Sequence, residues 1–487
     1  RYIMTAQTIL PANTLSSGFT VANSLRFNND DDPQLHKTPG SAGNQDAWTL
    51  SMWIKRSSVA QSGSQSLYGV YADGNNQETL AFDSGGNVDK LYWQFYQSGG
   101  VVGQLTTTRL FRDVSAWYNI VISYDSANGT AGNRMRMWIN GTEETGFDTD
   151  TNPSSGLNSQ WNGTTKHQIG CINTTNYFDG YMAEVVSLDG TAVTDATNFG
   201  EFDEDSGIWK PIDVSGLTFG TNGFYLDFED SSNLGNDANG GTDFTEVNIA
   251  TTDQSTDTCS NNFCTMNPLN VPTSSGPTFS EGNLVSISTN ANFGGSSTIG
   301  MTTGKWYCEA KCVTDATIRN AIGITGETGE LARDNNAPTS SSSDQSSIGY
   351  LAENGNFYNP AAGNQGSSYG DSYANDDIIG IAMDLDNMKL YFSKNGTFQN
   401  SGDPTTGATG TGAIDITVAV ADTIDGAYFV CQGSAGASTS RFDWNFGSPP
   451  YAVSSGNSDG NGHGNFEYSV PSGYLAWCTK NLGSDGG

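Results

Sequence analysis

The stretch WTLSMWIKRS, residues 48–57, decides the fold class of this chain. Its side chains alternate between two faces at a period of two, which is the pattern of a β-strand that buries one face. The pattern predicts a core face of Leu50, Met52 and Ile54, with Ser51, Trp53 and Lys55 opposite. Half-buried strands of this kind are typical of antiparallel sheets that pack as a sandwich.

The same alternation returns along the chain. In LYWQFYQ (91–97), WYNIVISYD (117–125) and RMRMWINGTEE (134–144), the inward positions are Leu91, Trp93, Phe95, Tyr118, Ile120, Ile122, Tyr124, Met135, Met137 and Ile139. The Asn140-Gly141 pair favours the positive φ angles of a tight hairpin turn. In the second half, residues 379–398 predict a hairpin with turns at Asp386-Asn387 and Asn395-Gly396. The sequence therefore predicts an all-β protein.

A chain of 487 residues exceeds what one hydrophobic core usually organises, so we expect two domains. The strand signal weakens between them into a stretch rich in Gly, Asn, Asp and Thr. This connector still contains Phe224, Tyr225, Leu226, Phe228 and Phe244, which are too apolar for a free linker, so we expect it to pack. The predicted divisions are an N-terminal arm (1–19), a first sandwich (20–214), the connector (215–277), a second sandwich (278–450) and a C-terminal extension (451–487).

The charge balance excludes some partners. Fifty-two acidic and twenty basic residues give a formal net charge of −32, which repels nucleic-acid phosphates and anionic lipids. No apolar run is long enough for a membrane-spanning helix, and the opening RYIMTAQTIL lacks the apolar core of a secretory signal. We therefore expect no nucleic-acid partner and no membrane insertion.

Seven cysteines in so long a chain do not form a disulfide scaffold. Cys308 and Cys312 share one face of the strand-like KWYCEAKCV and are predicted to be buried core residues. The sequence leaves open whether Cys259 and Cys264, which flank a short loop, form a disulfide.

Several segments resemble tailed-phage structural proteins. NSLRFNNDDDPQLHKTPGSAGNQDAWTLSMWIKRS (23–57) resembles the opening of their LamG-like, concanavalin A-type jelly rolls, and FDGYMAEVVSLDGTAVTDATNFGEFDEDSGIWKP (178–211) resembles the closing segment. From Glu281 the chain resembles a SPRY domain, above all in DLDNMKLYFSKNG (384–396). The resemblance spans residues 20–482 and implies two tandem antiparallel β-sandwiches, a concanavalin-like jelly roll followed by a SPRY domain.

The resemblance implies a bacteriophage virion surface or structural protein, either a tail fibre or appendage or a head fibre or decoration. It implies assembly in the bacterial cytoplasm, a location on the virion surface, contact with other virion proteins, a homo-oligomeric state and attachment to host-surface polysaccharide. Two alternatives stay open, a glycan depolymerase on a jelly-roll scaffold and an adhesin encoded by a prophage or the host. The receptor and the tail or capsid location are not determined by the sequence.

The sequence contains no strong catalytic motif. Retaining glycoside hydrolysis needs two carboxyl groups about 5–5.5 Å apart, and the best candidates are Glu201 and Asp203 in EFDED. This segment runs straight into Gly207 and Pro211, which favours a loop. The three histidines, His36, His167 and His463, have no triad or zinc-binding context. We therefore expect no enzymatic activity and no catalytic residues.

Glycan contact is predicted on the outward faces of the first sandwich. Alternation places four aromatic residues opposite the core, with two hydrogen-bonding side chains beside them: Trp53, Tyr92, Tyr96, Trp138, Arg136 and Gln94. Burial of these aromatics against the connector or a neighbouring subunit is the alternative. No cofactor is expected, although the acidic loops NNDDD (28–32) and FDEDS (202–206) leave a bound calcium ion open, because LamG-like domains often carry one near the sandwich rim.

Overall fold

The structure is a computed structural model that describes residues 18–271, 276–288, 293–314, 320–326, 347–359, 362–417, 426–434 and 439–485. The chain divides into two compact units between Asn261 and Asn262. Both units are β-sandwiches of mainly antiparallel strands, so the predicted all-β class is confirmed. Within these residues, no helix combines the length and the apolar character needed to cross a membrane.

The first unit consists mainly of short and medium-length strands. Its strands are β1 (Ser24–Phe27), β2 (Gln34–Lys37), β3 (Ala47–Arg56), β4 (Gln65–Asp73), β5 (Asn76–Phe82), β6 (Lys90–Gln97), β7 (Gly100–Leu110), β8 (Trp117–Asp125), β9 (Met135–Ile139), β10 (Thr142–Glu143), β11 (Phe147–Thr151), β12 (His167–Ile169), β13 (Gly180–Asp189), β14 (Gly200–Phe202), β15 (Trp209–Pro211), β16 (Phe224–Leu226), β17 (Thr245–Val247) and β18 (Gln254–Ser255). Single 3₁₀ turns occur at Asn29–Asp31, Gly85–Asn87, Ala131–Asn133 and Thr251–Asp253.

These strands form two large sheets that enclose the core. Sheet A has the order β10-β9-β8-β3-β13-β1-β18, with β16 paired to β13, and sheet B has the order β11-β7-β6-β5-β4-β12-β2-β17. The predicted inward residues of β3, β6, β8 and β9 pack in this core, with Tyr118 at its margin. Asn140 and Gly141 have φ angles of 48° and 75°, as the predicted hairpin turn requires.

The stretch predicted as a connector packs against the first sandwich and also contributes strands to it. Its residues Phe224, Tyr225, Leu226, Phe228 and Phe244 are all buried. β16 pairs with β13, β17 with β2, and β18 with β1. Residues 215–261 therefore complete the first sandwich, whereas the sequence pattern predicts a separate stretch from 215 to 277. Strands of two or three residues are too short to give a periodic signal.

Residues 190–219, here called the covering segment, lie across the outer face of sheet A. Their apolar side chains Val193, Phe199, Trp209, Val214 and Phe219 pack on outward residues of the sheet. This second layer explains why nearly every residue of β3 and β13 is buried on both faces. Among the described residues, no comparable layer covers sheet B along β6, where half-buried and buried residues alternate.

The second unit is also a β-sandwich. Its elements are β19 (Thr278–Ser280), β20 (Val285–Ser288), β21 (Phe293–Ser296), β22 (Lys305–Thr314), β23 (Asn320–Thr325), β24 (Ser347–Leu351), β25 (Asn356–Asn359), β26 (Asn364–Ser368), β27 (Ile378–Asp384), β28 (Lys389–Lys394), β29 (Thr397–Phe398), β30 (Ile414–Asp415), β31 (Phe429–Ser434), β32 (Ser440–Asn445), β33 (Leu475–Ala476) and helix α1 (Thr479–Asp485), with 3₁₀ turns at Gln399–Ser401 and Pro404–Thr409. Sheet C has the order β19-β20-β32-β22-β27-β28-β29, joined by β30 and β33, and sheet D has the order β21-β31-β23-β24-β25-β26.

The predicted hairpin of this unit is confirmed by β27 and β28, which pair from Ile379↔Lys394 to Asp384↔Lys389. Cys308 and Cys312 lie in the core between sheets C and D, as predicted. The C-terminal extension covers the outer face of sheet C, where Phe466 and Tyr474 pack on Tyr307 and Tyr391. In the first unit, Cys259 is a free cysteine.

Candidate functional site

The outer face of sheet B forms three rows of side chains that cross the strands. The strand register places residues directly opposite one another, in the rows Tyr71–Gln77–Tyr96–Val101, Gly69–Thr79–Gln94–Gln104 and Ser66–Ala81–Tyr92–Thr106. We call these three rows the open face; its accessible part consists of the half-buried or exposed members, whereas Ser66, Gly69, Thr79, Ala81 and Thr106 are buried. The alternate residues of the same strands, among them Leu80 and Trp93, point into the core.

Three of the predicted glycan-binding residues lie together on this face. Tyr92, Gln94 and Tyr96 alternate along β6 and are half-buried, while Val101 beside Tyr96 is 44% exposed. Neighbouring strands lie about 4.8 Å apart, so the two tyrosines of the first row stand on either side of Gln77 at about twice that spacing. The face therefore presents aromatic rings and amide groups at fixed positions on a sheet.

Hydrogen bonds fix the central amides. Gln94 Nε2 donates to Gln104 Oε1 at 2.9 Å, and Gln104 Nε2 donates to Thr106 Oγ1, also at 2.9 Å. The Tyr96 hydroxyl donates to the carbonyl oxygen of Gly99 at 2.8 Å. These contacts reduce the rotamer freedom that a ligand would otherwise have to restrict.

The three rows contain no Asp, Glu, Lys, Arg or His. Lys90 lies at one end of β6 and forms an ion pair with Asp148. In a chain with a net charge of −32, an uncharged surface of this kind is a distinct local feature.

The other three predicted residues lie on sheet A, where Trp53 and Trp138 face away from the sandwich core as predicted but are buried, which is the alternative that the sequence left open. Trp53 and Trp138 are only 3% and 2% exposed, because the covering segment packs on them. Arg136 stacks on the Trp138 ring at 4.8 Å and forms a bidentate pair with Glu143 at 2.7 and 2.8 Å. The six residues therefore belong to two different sheets and cannot form one site.

The predicted carboxylate pair also has a different setting from the expected loop. Residues 200–202 and 209–211 form a two-stranded hairpin of β14 and β15. Lys210 Nζ lies 3.4 Å from Glu201 and 3.2 Å from the buried Asp203. One shared lysine therefore contacts both carboxylates, and Asp203 also accepts hydrogen bonds from the backbone N–H and the hydroxyl of Ser206 at 2.9 and 2.8 Å.

Sequence reasoning missed several buried carboxyl groups, among them Glu78 and Glu184. Burial raises the pKa of Glu78 to about 7 and that of Glu184 to about 8. Glu78 accepts hydrogen bonds from the Tyr68 hydroxyl, the Ser159 hydroxyl and the Gln160 backbone N–H at 2.8, 3.0 and 2.9 Å. Glu78 alternates with Leu80 and Phe82 on the core face of β5, and an acid at such a position is the signal that could have identified it.

A polar groove of about 640 Å³ lies at one end of the first sandwich, and its lining contains residues 42–46 and 189–190 but no aromatic side chain. The carboxylate of Asp189 accepts backbone hydrogen bonds from Asn44 and Asn222 at 2.6 and 2.9 Å. The carboxylate of Asp46 accepts a side-chain hydrogen bond from the Ser126 hydroxyl at 2.7 Å. These carboxylates fix loops, so the groove offers less to a ligand than the open face.

In both acidic loops, a carboxylate already has a partner within the protein. In FDEDS, Asp203 is already paired with Lys210, and in NNDDD, Asp31 accepts a hydrogen bond from Asn28 Nδ2 at 2.8 Å. Nowhere in the described part of the chain do three or more His, Cys, Asp or Glu side chains converge as metal ligands.

Two family models match the chain. Residues 27–196 match the model of the concanavalin A-like lectin/glucanases superfamily, and residues 305–425 match the SPRY domain. The chain therefore contains a LamG-like, concanavalin A-like domain followed by a SPRY domain. Comparison with curated proteins gives no match.

Solved structures with similar folds cover one or both units. A putative carbohydrate binding protein from Bacteroides ovatus is 18% identical, with 47% of this chain and 59% of that chain covered and a TM-score of 0.34. The SPRY domain of human HERC1 is 14% identical, with 37% and 96% covered and a TM-score of 0.27. Domains LG4-5 of the mouse laminin alpha1 chain are 10% identical, with 85% and 84% covered and a TM-score of 0.29.

Proposed function

We propose that this chain is a glycan-binding surface protein of a tailed-phage virion, with the open face of sheet B as its contact surface. The observation that carries the proposal is the combination of tyrosine rings and hydrogen-bonded amides on one accessible face. Aromatic rings can cover the apolar C–H side of a sugar, and amides can both donate to and accept from its hydroxyl groups. The family that matches residues 27–196 contains lectins, which supports this choice.

The phage origin rests on the order of sequence segments that resemble tailed-phage structural proteins. On this proposal the chain is part of a tail or head appendage, assembles with other virion proteins, forms a homo-oligomer and meets host polysaccharide at the particle surface. The acidic surface supports solubility at high local density and disfavours contact with the packaged nucleic acid.

We propose binding without hydrolysis. Glu201 and Asp203 share Lys210, while Glu78 and Glu184 are buried below the surface of the sheets. A depolymerase would instead present an acid and a second carboxylate to the scissile bond. A reducing-end assay with the polysaccharide that binds would detect cleavage, and cleavage lost in Glu201→Gln would refute this part of the proposal.

The test of glycan binding uses the purified full chain on an array of bacterial surface glycans. Tyr96→Ala is expected to weaken binding about 3- to 10-fold, because one aromatic contact contributes about 0.5–1.5 kcal/mol. Phe202→Ala is the matched control, since Phe202 is a 52% exposed aromatic on the β14–β15 hairpin. Equal affinities of both variants and wild type would refute the open face as the contact surface.

The virion assignment needs a separate test. Antibodies raised against the purified chain are expected to label intact phage particles in electron micrographs, at either the tail or the head. Antibody labelling of host-cell surfaces, with no labelling of phage particles, would instead support an adhesin.

A further inference from the structure

We propose that the open face binds an extended, linear oligosaccharide of three or more sugar residues along its first row, Tyr71–Gln77–Tyr96–Val101. This inference rests on the proposed glycan-binding function and specifies the length and shape of the ligand. Three features of the structure carry it: the accessibility of this row, the spacing of its two tyrosines and its unused hydrogen-bonding groups.

The first row is the row of the open face in which every member is accessible. Tyr71, Gln77 and Tyr96 are half-buried, and Val101 is 44% exposed. In each of the other two rows, at least two members are buried. A ligand that crosses β4, β5, β6 and β7 therefore meets an accessible side chain on every strand only along the first row.

The two tyrosines of this row are too far apart to contact the same sugar ring. Tyr71 on β4 and Tyr96 on β6 stand on either side of Gln77 on β5. Neighbouring strands lie about 4.8 Å apart, so the tyrosines are separated by about 10 Å and the whole row extends over about 14 Å. A sugar ring is about as wide as a single strand spacing. A single sugar therefore contacts one tyrosine, whereas a chain of three or four residues contacts both.

The first row also presents hydrogen-bonding groups that the protein does not use. Within the described residues, the Tyr71 hydroxyl and the Gln77 amide have no intramolecular hydrogen-bond partner. The amide can both donate to and accept from a hydroxyl group of the sugar that lies between the two tyrosines. The Tyr96 hydroxyl donates to the carbonyl oxygen of Gly99, which fixes the position of that ring. Two aromatic rings with an amide between them match the apolar faces and hydroxyl groups of successive sugars.

The openness of the face makes affinity depend on the length of the ligand. No layer of described residues covers sheet B along β6, so a bound sugar contacts the protein on one side and water on the other. Each aromatic contact then strengthens binding by only about 3- to 10-fold. The loss of translational and rotational freedom on association is the same for a short and a long ligand, so a longer chain gains contacts without a second loss of this kind. We expect affinity to increase with chain length until the row is filled.

The experiment measures binding of the full chain to oligosaccharides of one to eight residues. They are prepared by partial hydrolysis and size fractionation of dextran, mannan, galactan and the polysaccharide with the strongest signal on the bacterial glycan array. In at least one series, affinity is expected to rise about 10-fold or more from one residue to four, and to change less than about 2-fold from six to eight, because the row spans about three strand spacings.

Two tyrosine variants test where the chain lies. Tyr71→Ala and Tyr96→Ala are each expected to weaken binding of the hexasaccharide about 3- to 10-fold. The double variant should combine the two losses, since residues about 10 Å apart contribute nearly independently. Tyr358→Ala, at a half-buried tyrosine of β25 in the second unit, is the matched control.

The outcomes separate this inference from the proposed function. Equal affinities for one residue and for six, both weakened by Tyr96→Ala, would overturn the extended ligand and retain glycan binding on the open face. A loss in Tyr96→Ala without a loss in Tyr71→Ala, in variants with wild-type thermal stability, would overturn the first row as the path of the chain. Hexasaccharide binding that neither variant weakens, or binding to no oligosaccharide and to nothing on the array, would overturn both proposals.

Discussion

The phenol of Tyr225 donates a 2.7 Å hydrogen bond to Oε2 of Glu184, a carboxyl group that lies in a bulge of β13 and contacts the covering segment. Glu184 has a φ angle of 50°, which a strand residue other than glycine rarely adopts. Burial raises its pKa to about 8, and the negative charges of Asp227, Glu229 and Asp213 act in the same direction. The carboxyl group is therefore mostly protonated at neutral pH.

Glu184→Gln is expected to reduce the pH dependence of stability. Between the ordinary glutamate pKa of 4.5 and about 8, the folded protein retains a proton that the unfolded chain has released. Stability from this group is therefore fully present below pH 4.5 and declines by about 1.4 kcal/mol per pH unit until the pH reaches the folded pKa. Urea unfolding at pH 5 and pH 8 measures the change.

At each pH, we subtract the free energy of unfolding of wild type from that of Glu184→Gln. This difference should be more positive at pH 8 than at pH 5, by about 2 kcal/mol or more. Glu78 has a raised pKa as well, so a smaller slope should remain in the variant. Glu204→Gln, at an exposed position, is the control. Parallel pH profiles of wild type and Glu184→Gln would contradict the assignment.

Lys55→Met is expected to destabilise the first unit by about 3–5 kcal/mol, because it leaves a buried aspartate without its cation. Lys55 Nζ lies 2.8 Å from Asp257 Oδ2, and the two side chains are 1% and 2% exposed. Trp117 Nε1 donates to the other oxygen of Asp257 at 3.2 Å. Arg109→Met removes the more exposed pair with Glu144 and should cost about 1 kcal/mol or less. Equal losses in denaturant unfolding would argue against the buried pair.

Trp138→Ala is expected to lower stability by about 3–5 kcal/mol and to leave glycan affinity unchanged in the molecules that remain folded. The reason is that Trp138 packs under the covering segment, on the sheet opposite the open face. Tyr96→Ala should show the reverse pattern. Unfolding and binding experiments on the same preparations measure both effects, and a selective loss of binding in Trp138→Ala would show that sheet A contacts the ligand.

Glu309→Ala is expected to loosen the C-terminal extension from sheet C. The buried carboxylate of Glu309 accepts backbone hydrogen bonds from Glu467 and Tyr468 at 3.0 and 2.9 Å. Without that acceptor, two backbone N–H groups lose their partner, at about 1–3 kcal/mol each. Limited proteolysis should cut residues 451–470 faster in Glu309→Ala than in the control variant Glu353→Ala, whose substitution lies at an exposed position. Unchanged cleavage rates would indicate that packing alone holds the extension.

The sequence predicts the inner faces of the sheets well, because each long strand carries its own period-two signal. Leu50, Trp93 and Met137 all lie in the core as that signal requires. The hairpin turn at Asn140-Gly141 is equally local, since its φ angles depend on two adjacent residues. Such features need no information from distant parts of the chain.

The burial of the outer faces cannot be predicted in this way. Alternation shows which side chains point away from the core, but it does not show whether another segment covers them. Trp53 and Tyr92 have the same periodic position in β3 and β6, yet the covering segment packs on Trp53 alone. That segment lies more than 130 residues beyond Trp53 in sequence, and no local pattern connects them. The sequence therefore predicts which side chains face away from the core, but not which of those faces is covered.

The pairing of β1 with β18 brings Ser24 opposite Ser255, and the backbone N–H of Val21 donates to Ser260 Oγ at 3.0 Å. The chain thus enters and leaves the first unit at neighbouring points. A domain with adjoining ends can be spliced into a surface loop of another protein without distortion of its host. Recombination that moved residues 18–261 as one block would therefore transfer the folded first unit, with its open face, to another protein.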